Sequence, residues 1–199
     1  MFFGILVGWI IGSQHATVPR AAARPPAQSS STPAQSSATP LDESRVSALK
    51  EAASRDPRDA RSRVQLANLY FDAERYNDAA RWYEESLKID PRDANASTDL
   101  AISYYYMNQA DRALTQFQHS LSVDPNHSKT LLNLGIVLAF AKEDLAGAAK
   151  AWQRVIDVAP DSPEGRAARQ ALDGLRNAHP DVGGSDQPAG KPPGGPNQP

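Results

Sequence analysis

Three Asp-Pro pairs punctuate the middle of this sequence at a fixed interval: Asp56-Pro57, Asp90-Pro91 and Asp124-Pro125, with prolines 34 residues apart. A fourth proline, Pro160, follows Pro125 after 35 residues. A period of this length is the mark of an array of small units stacked one on the next. The same chemistry recurs within each period. Nine residues after each proline stands Leu66, Leu100 or Leu134, then a small residue (Ala67, Ala101, Gly135), then, three further on, Tyr70, Tyr104 or Leu138. A polar break precedes Ala79, Ala113 and Ala148, and four residues beyond each comes a large ring: Tyr83, Phe117, Trp152. The third unit carries one extra residue near Lys142-Glu143-Asp144, which accounts for the spacing of 35.

Apolar residues stepping by three and four put one stripe on each of two helices per unit. The pattern predicts helices over 60–72, 76–89, 94–107, 110–123, 128–141 and 145–158. Paired small residues, such as Ala67 with Ala79, let the two helices of a hairpin approach closely. Proline closes each second helix, because it disfavours helical geometry in the residue before it. One hairpin cannot bury its own stripe, so neighbours must stack.

With these positions recurring in register, the pattern resembles the tetratricopeptide repeat. The resemblance covers three repeats, about 60–91, 94–125 and 128–160. It implies an all-α fold, a right-handed α-solenoid of helix-turn-helix hairpins. Arg63, Ser97 and Leu131 stand where that family often has tryptophan.

The flanks complete a domain over residues 41–178. Residues 41–55 form a helix with Val46, Leu49, Ala52 and Ala53 on one side and Asp42 or Ser44 as its cap, placed to cover the first hairpin. Ser162-Pro163 is a helix start, with a capping serine and proline at the first helical position. The helix over 163–178 sets Ala168, Ala171, Leu172 and Leu175 on one face, as a terminal cap requires. Residues 179–199 are rich in glycine and proline and are expected to be disordered.

Residues 1–18 begin with the apolar run MFFGILVGWII. As a helix that run spans roughly 16 Å, about half of a hydrocarbon core. The expectation is a membrane anchor whose N-terminal part lies outside this sequence. An unorthodox signal or lipid-surface segment and a disordered apolar end are the competing readings. Residues 19–40, rich in Ala, Pro and Ser, read as a disordered linker. Arg20 and Arg24 favour a cytoplasmic repeat domain by charge bias. The lack of cysteine and the Ser/Pro linker favour the periplasmic side of a bacterial inner membrane, which is the expectation adopted.

Composition excludes several functions. There is no cysteine, so disulfides, thiolate catalysis and zinc-thiolate sites are ruled out. A net charge of -2 provides no dense positive field for nucleic acid. The four histidines have no metal-ligand spacing, and no phosphate-binding loop or nucleophile elbow is present. His119 and His127 read as solvated or turn residues. No cofactor, metal, small-molecule substrate or enzymatic activity is expected.

What remains is a surface. The resemblance implies that the first helices line a concave groove for a partner peptide. Its register assigns Val64, Gln65, Asn68, Phe71 and Asp72 from the first repeat, then Asn95, Thr98, Asp99, Ile102, Tyr105 and Tyr106 from the second. The third supplies Lys129, Leu132, Asn133 and Ile136. Asn68 and Asn133 can each donate to and accept from a peptide backbone. Tyr105 and Tyr106 lie about 100° apart on a helix, so both cannot point inward; Tyr105 is the expected groove residue. Phe71, Ile102 and Ile136 have a competing role as core between repeats. The family's chaperone-binding branch grips an acidic tail with basic and amide residues. Asn68 and Lys129 fit that branch, whereas Val64, Asn133 and Asp99 depart from it, and Asp99 would oppose a carboxylate. The function expected is a non-catalytic, membrane-tethered scaffold that binds a protein segment. The alternative is a dimerising module of an envelope complex. The layout resembles tetratricopeptide subunits of cytochrome c maturation.

Overall fold

The computed structural model describes residues 39–181. The expected anchor, nearly all of the expected linker and the tail beyond residue 181 lie outside the described residues.

The linker between hairpins is a small device built twice from Asp-Pro-Arg-Asp. The first aspartate makes a turn: Asp56 Oδ1 accepts from the Arg58 backbone N–H at 2.8 Å, and Asp90 Oδ1 from that of Arg92 at 3.1 Å. The second aspartate caps the next helix. Asp59 Oδ1 accepts from Ser62 N–H at 2.9 Å, and Asp93 Oδ1 from Ala96 N–H at 2.9 Å. An acceptor there satisfies a donor that the first helical turn leaves without an intrahelical partner. In the third linker the aspartate turn persists, with Asp124 Oδ1 accepting from Asn126 N–H at 3.0 Å, but His127 stands at the capping position and makes no cap bond to the backbone.

Eight helices follow in order: α1 Glu43–Arg55, α2 Ala60–Asp72, α3 Tyr76–Ile89, α4 Ala94–Tyr106, α5 Ala110–Val123, α6 Ser128–Ala141, α7 Leu145–Val158 and α8 Pro163–Ala178. There is no strand among the described residues. The first helix starts at Glu43 because Asp42 is its cap, accepting from Arg45 N–H at 3.0 Å. Ser162 caps α8 with Pro163 behind it. Within each hairpin the turn passes through one left-handed residue: Glu74 (φ 56), Asn108 (φ 59) or Glu143 (φ 54). Backbone N–H groups of Arg75 and Gln109 then donate to the carbonyls of Tyr70 and Tyr104, at 2.8 and 2.9 Å. In the third hairpin Asp144 N–H reaches Leu138 O at 2.9 Å, across one more residue, where the sequence has its insertion.

The repeated stripe is the core. Leu66, Ala67, Ala79, Ala101, Ala113, Phe117 and Ala148 are fully buried, and Tyr70, Tyr83, Leu100, Tyr104 and Trp152 nearly so. The family's tryptophan position is filled differently in each repeat. Arg63 donates to the carbonyls of Ala53 and Asp59, tying the end of α1 to the start of α2. Ser97 is buried beside Gln116 and His119, and Leu131 joins the core. Helix α8 closes the stack with Ala168, Leu172 and Leu175. The result is an all-α solenoid of consecutive hairpins.

Candidate functional site

Packing between repeats decides which helices face inward. Helix α4 packs on α6 and α6 on α8, whereas no comparable contact joins α3 to α5 or α5 to α7. From the second repeat on, first helices therefore lie together on the inside; α2 has no comparable contact with α4 and meets it through the Phe71 ring, 6.0 Å from that of Tyr106. The sequence-assigned residues sit on those first helices.

Several are already joined to one another. Tyr83, in the core of the first hairpin, donates its hydroxyl to Asn68 Oδ1 at 2.6 Å. Burial raises the Tyr83 hydroxyl far above its ordinary pKa, with the negative charges of Asp99 and Asp72 adding to it. The phenol is thus a fixed donor, and Asn68 is its acceptor. What Asn68 still offers outward is its amide N–H pair. Across the groove, Lys129 donates to Asp99 at 2.5 Å. Burial shifts the Asp99 carboxyl upward, and Lys129 opposes that shift. Asn133 donates Nδ2 to Lys129 O at 2.8 Å and keeps its carbonyl oxygen for another partner. Asn95 Oδ1 lies 3.2 Å from His127 Nε2, so exposed Asn95 is tied to the next repeat. Gln65 is half-buried and has no described partner.

The apolar members divide. Ile102 and Tyr105 are partly buried and pack against the main core, as do Val64 and Phe71. Tyr106 is the more outward of the tyrosine pair, 42% exposed. Asp72, the last residue of α2, is exposed, and its carbonyl accepts from Thr39 N–H at 3.0 Å. Spacing could not show that Asn68 is half spent on Tyr83, fifteen residues away, or that Lys129 is claimed by Asp99, thirty away. It also passed over Tyr76, whose ring stacks on Tyr106 with centroids 4.6 Å apart. Its one signal was an aromatic residue opening α3. Among the described residues no cluster of acidic, histidine or cysteine side chains could hold a metal.

The electrostatics are mixed rather than basic. The one lysine of the inner face is paired with a half-buried carboxylate, and the amides are neutral. Such a face can offer hydrogen bonds and ring surface to a backbone. It lacks the cation cluster that grips a terminal carboxylate.

The tetratricopeptide-repeat family model matches residues 46–98 and again 70–134. No curated protein matches the sequence significantly. Among solved structures, MamA superposes with a TM-score of 0.56 at 20% identity, covering 66% of this chain and 78% of MamA. The first TPR of Spaghetti (RPAP3), bound to the HSP90 peptide SRMEEVD, superposes at 0.52 with 22% identity, over 69% of this chain and 95% of that one. The Yersinia enterocolitica type III secretion chaperone SycD, in complex with a peptide of the translocator YopD, superposes at 0.53 with 18% identity, over 58% and 88%. The two overlapping family-model matches make residues 46–134 tetratricopeptide repeats, and the described helices have the fold of these structures.

Proposed function

We propose that the repeat domain is a non-catalytic scaffold that holds an extended protein segment along its inner face, tethered to a bacterial membrane through residues 1–18. The observation that carries the first half is the spare hydrogen-bonding capacity of Gln65 and Asn68 on α2 and of Asn133 on α6, with the ring of Tyr105 on α4, the first helix between them. An extended segment needs donors and acceptors at intervals, and these supply both. Two tetratricopeptide-like structures of the same fold hold peptides, which supports the reading. The mixed charge of the face speaks against an acidic chaperone tail as its client.

The test is capture from envelope extract, followed by calorimetry with the captured protein. Each lost amide bond costs about 0.5–1.5 kcal/mol, and a lost aromatic anchor ~2 kcal/mol. Asn133→Ala with Tyr105→Ala therefore weakens binding at least about tenfold, read at a temperature where the variant is folded, since Tyr105 also packs against the core. Wild-type affinity in that variant would remove the inner face as the working surface. A dimerising module gives a different outcome: the chain captures chiefly itself, and size exclusion shows the variant as monomer.

The tether rests on the apolar composition of residues 1–18. No helix among the described residues is long and apolar enough to cross a membrane. Fractionation decides it: the full chain sediments with membranes, and residues 41–178 alone do not. Full-length chain in the soluble fraction with its N-terminus intact would sink the tether. Protease protection of the repeats in spheroplasts tests the periplasmic placement.

A further inference from the structure

Asp99, Ile102 and Tyr106 follow one another along one stripe of α4 at steps of three and four, as Asn133, Ile136 and Phe140 do along α6. Both stripes finish in a ring at the C-terminal end of the helix, and both rings stay open: Tyr106 is 42% exposed and Phe140 50%. At the two ends of the stack the corresponding residues differ. Leu175 of α8 is buried in the C-terminal cluster. Asp72 of α2 has the chain itself laid against it, with Thr39 donating its N–H to Asp72 O at 3.0 Å and Leu41 packed on the main core.

Next to the two open rings is the way out of the domain. Each turn and each linker reverses the chain, so α4, α6 and α8 run in the same direction, with α4 packed on α6 and α6 on α8. Helix α8 ends at Ala178. The chain beyond Asp181 therefore leaves from the end of the stack that carries Phe140 and Tyr106.

Residues 182–199 have the composition for such a surface. They include Pro188, Pro192, Pro193 and Pro196 and one cation, Lys191. Proline-rich stretches enter aromatic grooves at low entropic cost, because their polyproline geometry is set in advance. Packed helices stand about 8–10 Å apart, which puts Phe140 one such step from α8 and Tyr106 two. Pro192 lies eleven residues beyond Asp181, a reach of about 18 Å as flexible coil and ~34 Å as polyproline helix. Charge points the same way. Glu143, three residues past Phe140, is exposed and makes no ion pair among the described residues, whereas its neighbour Lys142 is paired with Asp111 at 2.8 Å.

We infer that the chain's own tail docks on this ring end, with Pro192 and Pro193 against Phe140 and Tyr106 and Lys191 toward Glu143. The docking does not depend on the segment-binding role of the inner face. Where that role holds, the tail competes with the bound segment for the two rings.

The chain has no cysteine, so a nitroxide on Ala189→Cys reports on the tail alone. It is carried by the full-length chain with isotope-labelled phenylalanine and tyrosine rings. The expected result is loss of the Phe140 and Tyr106 ring signals, recovered when the nitroxide is reduced, with a weaker effect on Phe117, buried in α5. Lys191→Gln, Pro192→Gly and Pro193→Gly together restore both signals, and these changes lie outside the helices, so the fold is not at stake. Signals that stay sharp beside the oxidised nitroxide overturn the inference. So do signals still lost in the triple variant, which would mean that tethering alone brings the nitroxide near. Labelled chain without cysteine, mixed with unlabelled chain carrying the nitroxide, keeps its signals. Loss in that mixture would make the occupant the tail of a second copy and overturn docking within the chain. In the capture assay the triple variant holds more client than the wild type; equal capture removes the competition and leaves the docking to be decided by the ring signals.

Discussion

Gly135 occupies the position that Ala67 and Ala101 hold in the other two repeats, and the residue facing it explains why. The third repeat has Trp152 where the others have Tyr83 and Phe117. A Cβ on Gly135 would collide with that indole, 2.6 Å from Cδ1 and 2.8 Å from Cε2. The indole is 3% exposed and donates Nε1–H to Leu132 O at 3.2 Å, so it has little freedom to move aside. Two effects oppose each other in Gly135→Ala. Helix propensity favours alanine by about 1 kcal/mol, and overpacking costs ~1–3 kcal/mol. The clash wins, and the melting temperature falls. Gly174 in α8 is the control, since nothing lies within 4 Å of its added Cβ. Gly174→Ala therefore gains about 0.5–1 kcal/mol, read in the same melts. A rise for both variants would mean the indole is not seated against α6. A second prediction concerns Asn68. Because it accepts from Tyr83, Asn68→Ala is not a neutral surface change and costs about 0.5–1.5 kcal/mol. In a Tyr83→Phe background that cost falls toward zero. Urea midpoints of the four chains decide it, and an undiminished cost would show the bond to be idle.

Between the second and third repeats, three helices meet on hydroxyl groups instead of apolar ones. Thr98 Oγ1 of α4 lies 2.6 Å from Thr130 Oγ1 of α6 and 3.0 Å from Ser120 Oγ of α5, and Ser120 lies 2.8 Å from Thr130. All three residues are fully buried. Each hydroxyl brings one proton: that of Thr130 goes to His127 Nδ1 at 2.6 Å, and Thr98 and Ser120 divide theirs between the other hydroxyls and Ala94 O, at 2.7 and 2.9 Å. This explains the missing aspartate cap on α6. His127 is the acceptor that completes the network, and its other nitrogen reaches Asn95. Removing one member of such a network strands another, at about 1–3 kcal/mol. Thr98→Val should cost that much, and Thr98→Val with Thr130→Val less than the sum of the singles. Strict additivity in urea denaturation would show that the hydroxyls act independently. The helices themselves were legible in the sequence to within two residues, because period, proline and cap are local signals. The network was not. Thr98 read as a groove residue and His127 as a turn residue, since nothing local shows that residues 22 and 32 positions apart share protons. The same limit hid the partners of Asn68 and Lys129, so the inner face was legible as a set of positions and not as a set of bonds.

Across the whole stack, the buried side chains fall into two clusters. One runs from Val46 of α1 through Phe117 of α5 and takes in Val137 of α6. The other joins Leu131 of α6, Trp152 and Val155 of α7 and Leu172 and Leu175 of α8. The hydroxyl network lies at the junction of the second and third repeats. In a quasi-one-dimensional stack each unit is held only by its neighbours, so stability is a sum of local terms and the ends can open without the middle. The C-terminal cluster is the smaller, and beside it Phe140 and Val158 remain exposed. It should open first. Leu172 is the probe, 2% exposed at the centre of the α8 contact. Leu172→Ala leaves a cavity worth roughly 2–5 kcal/mol. If the clusters are separate cooperative units, native-state amide exchange will show that loss in α6, α7 and α8, while α2 to α4 keep wild-type protection. Equal loss of protection along the entire chain would mean that the hydroxyl junction couples the repeats fully and that the stack unfolds as one.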